Sequence, residues 1–410
     1  MGKAKTLLIC AAALCCPIFI CSGSAAGTIL RDSAYASAGV FPWDNNSSDP
    51  DPLYSSNPGN YEANSGNSSE TPNASDPSNG SYPSYSTSTD DPANDPTSDP
   101  SSSTNPDDPA NDPPTAARGT IITKNRSDRK DDDNRSAFTL KNGIIYRYTF
   151  ERGTTGDYID LPSGAQIRNS TEKNNSELIA ASKHLPPIRI DDPTQPAVLI
   201  YHTHTTESYM PNSDRYDTRY PDRSVDSDRN MVSVGDAICE ALAAAGISVV
   251  HDCTIHDNPE FVGAYNRSAE TILQNLEEYP SIKIVLDIHR DGIANPDGSL
   301  VAPIAEINGK NAAQFMIISG CDGERFSIPN YIENFKLACL LQNTAEELFP
   351  NLARPVLFDY RDYNQSLFTG TLLIEVGSHG NSLEETTYTG RLIGEIIAEA
   401  VKQLTVDSTQ

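Results

Sequence analysis

The sequence predicts an α/β fold, a mixed but largely parallel sheet flanked by helices, reached through a disordered tether. Three observations point there. Three short apolar runs in the C-terminal half each end in chemically useful side chains: Ala197 to Tyr201 into His202-Thr203-His204, Ile282 to Leu286 into Asp287-Ile288-His289, and Thr371 to Ile374 into Glu375. Short branched runs with polar flanks read as strands buried on both faces, the habit of parallel sheets. Such runs alternate with helix-length amphipathic stretches as far as Leu404, the order expected of α/β architecture. Residues 33–117, by contrast, are Ser, Asn, Asp and Pro with too little apolar area to offset the entropy of ordering.

From the N-terminus, residues 1–32 read as a signal or membrane-anchor segment. The chain is apolar from Leu7 to Cys21, interrupted only by Pro17. That length falls between a secretory core of ~7–15 residues and a spanning helix of ~18 or more. A cleaved signal and a short retained anchor both fit, and both place the remainder outside the cytoplasm. Cys21 follows Ile20 rather than a small residue, which argues against lipidation.

Residues 33–137 read as a disordered acidic linker. Between Ser33 and Ala117 lie 13 acidic residues and no Lys or Arg, and the heptamer Asp-Asp-Pro-Ala-Asn-Asp-Pro starts at Asp90 and again at Asp107. A flexible chain of that length spans on the order of 50 Å, enough for a catalytic unit to work away from an anchor. Formal net charge is −26, half of it from this tract, which disfavours nucleic acid as a partner.

Residues 138–410 read as one globular unit. Phe138 to Phe150 alternates about Asn142-Gly143, a hairpin signal, and the stretch to Asp192 is a lead-in. After the strand at Ala197, a polar loop from Pro211 to Arg229 precedes an amphipathic helix from Asn230 to Ala245, closed by Gly246. Strand Ile247 to Val250, helix Ala264 to Glu278 and strand Ile282 to Ile288 follow. Asn308-Gly309 predicts a hairpin joining Leu300–Ile307 to Ala312–Ser319. A helix from Tyr331 to Leu348, strands near Val356 and Leu372, and a helix from Ser382 to Leu404 complete the pattern. Cys239, Cys253, Cys321 and Cys339 are scattered without metal-knuckle spacing and read as buried thiols, with one disulfide as the alternative.

The chemistry collects at the strand ends, where open α/β sheets bind ligands. A hydrolytic zinc site needs about three protein ligands and an open position. His202, His204, Glu207, His289 and Glu375 offer the right atoms. His202 and His204, as alternate residues on extended chain, project to one side, and only one of them need bind. Glu207 is either a ligand or a turn residue. His289 lies among Asp287, Arg290 and Asp291, too charged a group for ordinary core. Glu375 ends an apolar strand where an unpaired carboxylate would be costly, which suits a general base and acid. Arg290 pairs with Asp287 or binds an anion, and His379 in its Gly-Ser-His-Gly loop is either a substrate contact or an ordinary surface-loop histidine. His184, His251 and His256 carry no such signal.

Five ordered motifs then add up to a resemblance. Residues 199–211 (LIYHTHTTESYMP), 230–235 (NMVSVG), 265–268 (YNRS), 279–291 (YPSIKIVLDIHRD) and 373–377 (LIEVG) together resemble the stage II sporulation protein P family over roughly residues 138 to 404. The resemblance implies a membrane-anchored peptidoglycan hydrolase of spore formers with N-acetylmuramoyl-L-alanine amidase and peptide-crosslink endopeptidase activities. It also implies a lytic transglycosylase partner, stage II sporulation protein D, and a fold related to zinc-dependent amidases. By that comparison His204 occupies the first metal loop, His289 the later histidine position and Glu375 the catalytic glutamate, which favours His204 over His202. The chain departs from the amidase pattern at the second ligand: the helix that should open with Glu opens near Asn230. Glu207 or His202 would then supply the third ligand. The rival readings are a mainly peptide-cutting endopeptidase and a noncatalytic wall-binding protein.

Overall fold

The structure, a computed structural model, describes residues 118–132, 134–212, 214–324 and 326–405. The segment read as signal or anchor and the acidic tract up to residue 117 lie outside the described residues. In chain order the elements are β1 (Ile121–Lys124), β2 (Gly143–Tyr148), β3 (Tyr158–Asp160), β4 (Gln166–Asn169), α1 (Asn175–Ala181), β5 (Val198–Tyr201), β6 (Arg215–Tyr216) and α2 (Met231–Ala244). After these come β7 (Val249–Asp252), α3 (Ala264–Glu278), β8 (Ile284–Asp291), β9 (Leu300–Ile307), β10 (Lys310–Ala313), β11 (Phe315–Gly320), α4 (Tyr331–Leu348), β12 (Val356–Asp359), β13 (Thr371–Ser378) and α5 (Leu383–Leu404).

The main sheet runs β1-β7-β5-β8-β13-β11-β12-β4-β3. Neighbours are parallel except at β13/β11 and β4/β3, so the sheet is mixed and largely parallel. The three apolar runs singled out from sequence are β5, β8 and β13, and they lie side by side with β8 in the middle. Burial explains why they read as continuous runs. Val198, Ile200, Leu286 and Ile288 share a core with Ile238 of α2, Phe335 of α4 and Ile396 of α5, while Leu199, Tyr201 and Val285 share another with Ile272 of α3. Each fully buried side chain of this size contributes about 1.5–3 kcal/mol of transfer free energy, so both faces demand apolar residues.

Helix ends follow local chemistry. Asn230 caps α2 by accepting from Val232 N, and Gly246 beyond its end adopts φ 85°. Ser382 and Glu385 form a reciprocal capping box at α5. Helices α2 and α5 lie so close that a Cβ on Gly394 would come 2.5 Å from Ala241 Cβ and 2.7 Å from Ile238 O.

Several expectations change. Asn142-Gly143 is not a hairpin turn: β2 is a single strand pairing antiparallel with β6 and parallel with β9. Gly143 is required for close approach, since a Cβ there would meet the Tyr216 ring at 2.2 Å, and Asn142 exchanges bonds of 3.0 Å with Thr218. Order begins before Phe138, because the short polar-flanked run of β1 adds to the sheet edge beside β7. Asn308-Gly309 does turn the β9/β10 hairpin, with φ 51° and 73°. The strand expected at Ala312–Ser319 divides at Gln314: β10 stays in the small sheet β10-β9-β2-β6 and β11 enters the main one. The Gln314 side chain holds that switch by bonding the backbone of Phe150 and Asn351. All four cysteines in the described residues are buried and free.

Candidate metal centre and active site

Parallel pairing sets the site. β5 and β8 bring Tyr201 opposite Asp287, and β13 brings Glu375 opposite His289. The chain leaves β5 at His202 and turns at once, because the buried Asp287 carboxylate accepts from Thr203 N at 2.8 Å and Thr203 Oγ1 at 2.6 Å. A second turn, Glu207 N to His204 O at 3.1 Å, folds Glu207 back beneath His204. Ser208 then bridges to Asn230, so Glu207 stands beside the start of α2 although it belongs to the first loop.

Three donors converge. His204 Nδ1 lies 3.5 Å from Glu207 Oε1, and His289 Nδ1 lies 3.5 Å from Glu207 Oε2. One donor atom from each residue falls within 4.8 Å of the others. These separations exceed an ordinary N–H···O bond. The two 3.5 Å contacts, one to each oxygen of Glu207, are close to the edge of a tetrahedron with zinc–ligand bonds of 2.0–2.2 Å, about 3.4 Å. The other ring nitrogen of His289 lies 2.9 Å from Asp287 Oδ1, a close charge contact whose angle is off the line of a hydrogen bond. His204 Nε2 is buried without a hydrogen-bond partner, and its ring stacks on Phe261 at 4.6 Å. Two imidazoles and one carboxylate thus form a group able to hold a divalent cation of zinc's size.

Electrostatics separate the carboxyls. Burial raises Glu207, but His204, His289 and Arg290 outweigh it and hold its carboxyl well below the usual range. Burial lowers His289, and Asp287 with Glu207 more than reverses this. At Glu375 burial dominates, with Asp291 and Glu207 adding to it against His289 and Arg354, and the carboxyl is pushed up to about 8. Its Oε2 is buried and has no partner. A carboxyl whose proton affinity is raised toward neutrality can accept a proton as its carboxylate and return it as the acid.

The remaining candidates lie elsewhere. His202 is fully buried behind the loop, with Nδ1 donating to Ile288 O at 3.0 Å and Nε2 3.0 Å from His251 Nε2, which continues to Asp236. Burial beside His251 pushes it down to about 3. It does not share a face with His204, since the chain has already turned at Thr203. Arg290 braces the loop by donating to Ser208 O at 2.7 Å and to Asp222, and its backbone N–H reaches Glu207 Oε2 at 3.2 Å. It does not pair with Asp287. His379 is tied to the rim by its backbone N–H to Asp291 O, with Nδ1 buried and unpartnered. His251 and His256, given no signal from sequence, both serve the scaffold beneath the loop. Sequence reasoning missed the aromatic wall of Phe261, Tyr265 and Tyr363, and it missed Arg223, which sits 4.7 Å over Phe261. Tyr265 lay in a recognised motif without a role, and Phe261 and Arg223 stand in loops with no periodic signal.

The model of the family described as stage II sporulation protein P matches residues 118–398. The chain belongs to that family. A curated member, stage II sporulation protein P of Bacillus subtilis (strain 168), is 27% identical over 268 residues, covering 60% of this chain and 64% of that one. The chain therefore spans just under two thirds of the length of this family relative. Among solved structures, an N-acetylmuramoyl-L-alanine amidase from Clostridium difficile 630 aligns with 53% of this chain and 99% of its own, at 14% identity and TM-score 0.32. The CwlD amidase from Clostridioides difficile, solved in complex with the GerS lipoprotein, aligns with 51% and 98%, at 10% identity and TM-score 0.33.

Proposed function

We propose that the protein is a peptidoglycan hydrolase of sporulation that cleaves the N-acetylmuramoyl-L-alanine amide, with zinc held by His204, Glu207 and His289. The observation that carries this is the pair of imidazole nitrogens set 3.5 Å on either side of one carboxylate, with Glu375 on the adjoining strand at the register of His289. Zinc, when bound, polarises an amide carbonyl and acidifies a water molecule. The chain's own groups do the rest. Asp287 makes a close charge contact with the His289 ring. Arg290 holds the loop that presents Glu207. Glu375, whose buried carboxyl has a raised proton affinity, would act as its carboxylate to take the proton of attacking water and, once protonated, pass it to the departing L-alanine nitrogen. Phe261 and Tyr265 pack their rings against His204, aromatic faces suited to the apolar face of a sugar.

Extracytoplasmic placement by the N-terminal segment and cooperation with a lytic transglycosylase such as stage II sporulation protein D belong to the same reading. The test is digestion of purified sacculi with zinc restored. Wild type is expected to release intact stem peptides with free L-alanine amino termini, and Glu375→Gln to lose at least 100-fold in rate, the scale of general acid–base catalysis. Release of crosslink-cleaved fragments alone would favour the endopeptidase, and equal lysis by both proteins would remove Glu375 from the chemistry.

A further inference from the structure

Arg354 sits at the same rim with two of its three guanidinium nitrogens unpaired. Its backbone is fixed there: Arg354 N donates to Phe315 O at 2.8 Å, and Phe315 pairs with Val376, next to Glu375 on β13. The side chain is 7% exposed and its guanidinium lies 5.5 Å from the centre of the Phe150 ring. Nη1 donates to Asp291 Oδ2 at 3.0 Å. Nε and Nη2 are buried and bond to nothing. A guanidinium is always charged, and leaving its donors dry and unpaired is costly. These two nitrogens form the side-on fork, whose parallel N–H groups match the two oxygens of a carboxylate. Glu375 Oε2 is likewise buried and unpartnered, and the two side chains make no ion pair. A group that must accept and return a proton is poorly served by a bidentate lock.

We propose that the free fork of Arg354 receives a carboxylate of the substrate, making the protein selective for amides that lie close to an acidic group on the peptide. This deepens the peptidoglycan reading and rests on it, since stem peptides carry free carboxylates. A chain with a net charge of −26 has no general attraction for such a ligand, so recognition must be local.

The probes are a soluble N-acetylmuramoyl peptide with free carboxyls and the same peptide with each carboxyl converted to carboxamide, titrated against the zinc-loaded full chain. Wild type is expected to bind the free acid roughly 10- to 100-fold more tightly, the range for a charged hydrogen-bonded pair. Arg354→Lys keeps the charge beside Asp291 but lacks the fork, and is expected to lose most of that preference with its melting temperature preserved. Equal binding of the two peptides by wild type, which needs no variant to fold, overturns the proposal. So does full preference retained in Arg354→Lys. Turnover separates the two levels. Preference without cleavage would sink the hydrolase and leave the carboxylate site standing, whereas cleavage without preference would do the reverse.

Discussion

Glu207 and His202 leave the same strand and meet different surroundings because Asp287 captures Thr203 between them. From sequence, alternation predicted that His202 and His204 share a face, which holds only while chain stays extended. A buried carboxylate eighty-four positions away, invisible to any local pattern, turns it instead. His204, His289 and Glu375 were legible because apolar runs stop abruptly at them. Arg354 was not, since nothing near Pro355 marks a strand end. Glu207→Gln is expected to weaken zinc binding about 10-fold or more in chelator competition, whereas His202→Gln should keep zinc and lose roughly 1–3 kcal/mol of stability from broken buried hydrogen bonds. The opposite pattern would make His202 the ligand.

Among the elements, α2 ties the site to the rest of the fold. One of its faces meets His202 and His251, where a Cβ on Gly235 would lie 2.9 Å and 2.5 Å from their Nε2 atoms, and another meets α5 at Gly390 and Gly394. Both contacts need hydrogen in place of a methyl group. Gly394→Ala gains helix propensity of about 1 kcal/mol but forces apart two packed backbones, a cost of about 1–3 kcal/mol. Net destabilisation in a denaturant titration is the expected outcome, and a stabilised variant would show that the helices part easily. Helices α3 and α4 match their predicted spans, α3 because one apolar face repeats along it and α4 because an apolar stretch from Leu337 to Leu341 is buried on all sides. Strand β2 escaped prediction as a lone strand because its partners, β6 and β9, are remote and its Asn-Gly pair mimics a turn.

At the scale of the molecule, buried neutral histidines make stability depend on acidity. His256 is buried, with Nδ1 donating to His202 O at 2.7 Å and Nε2 2.9 Å from Thr271 Oγ1, and burial lowers its affinity for a proton. Below about pH 6.5 the unfolded chain protonates this ring while the folded one resists. The unfolded state then binds more protons, so its share of stability is lost as pH falls from there toward the folded value, by up to about 1.4 kcal/mol per pH unit. Wild type should therefore exceed His256→Gln in stability at pH 7.5 by more than at pH 5.5, as read from urea midpoints at fixed zinc. A gap that widens on acidification would mean the ring is charged in the fold. The sheet order carries one more consequence. Strand β13 is inserted between β8 and β11 and joins what would otherwise be two separate half-sheets. Loosening β13 would therefore open the sheet and carry Glu375 away from His289 in one motion, so the proposed proton carrier is in position only while the two halves are joined.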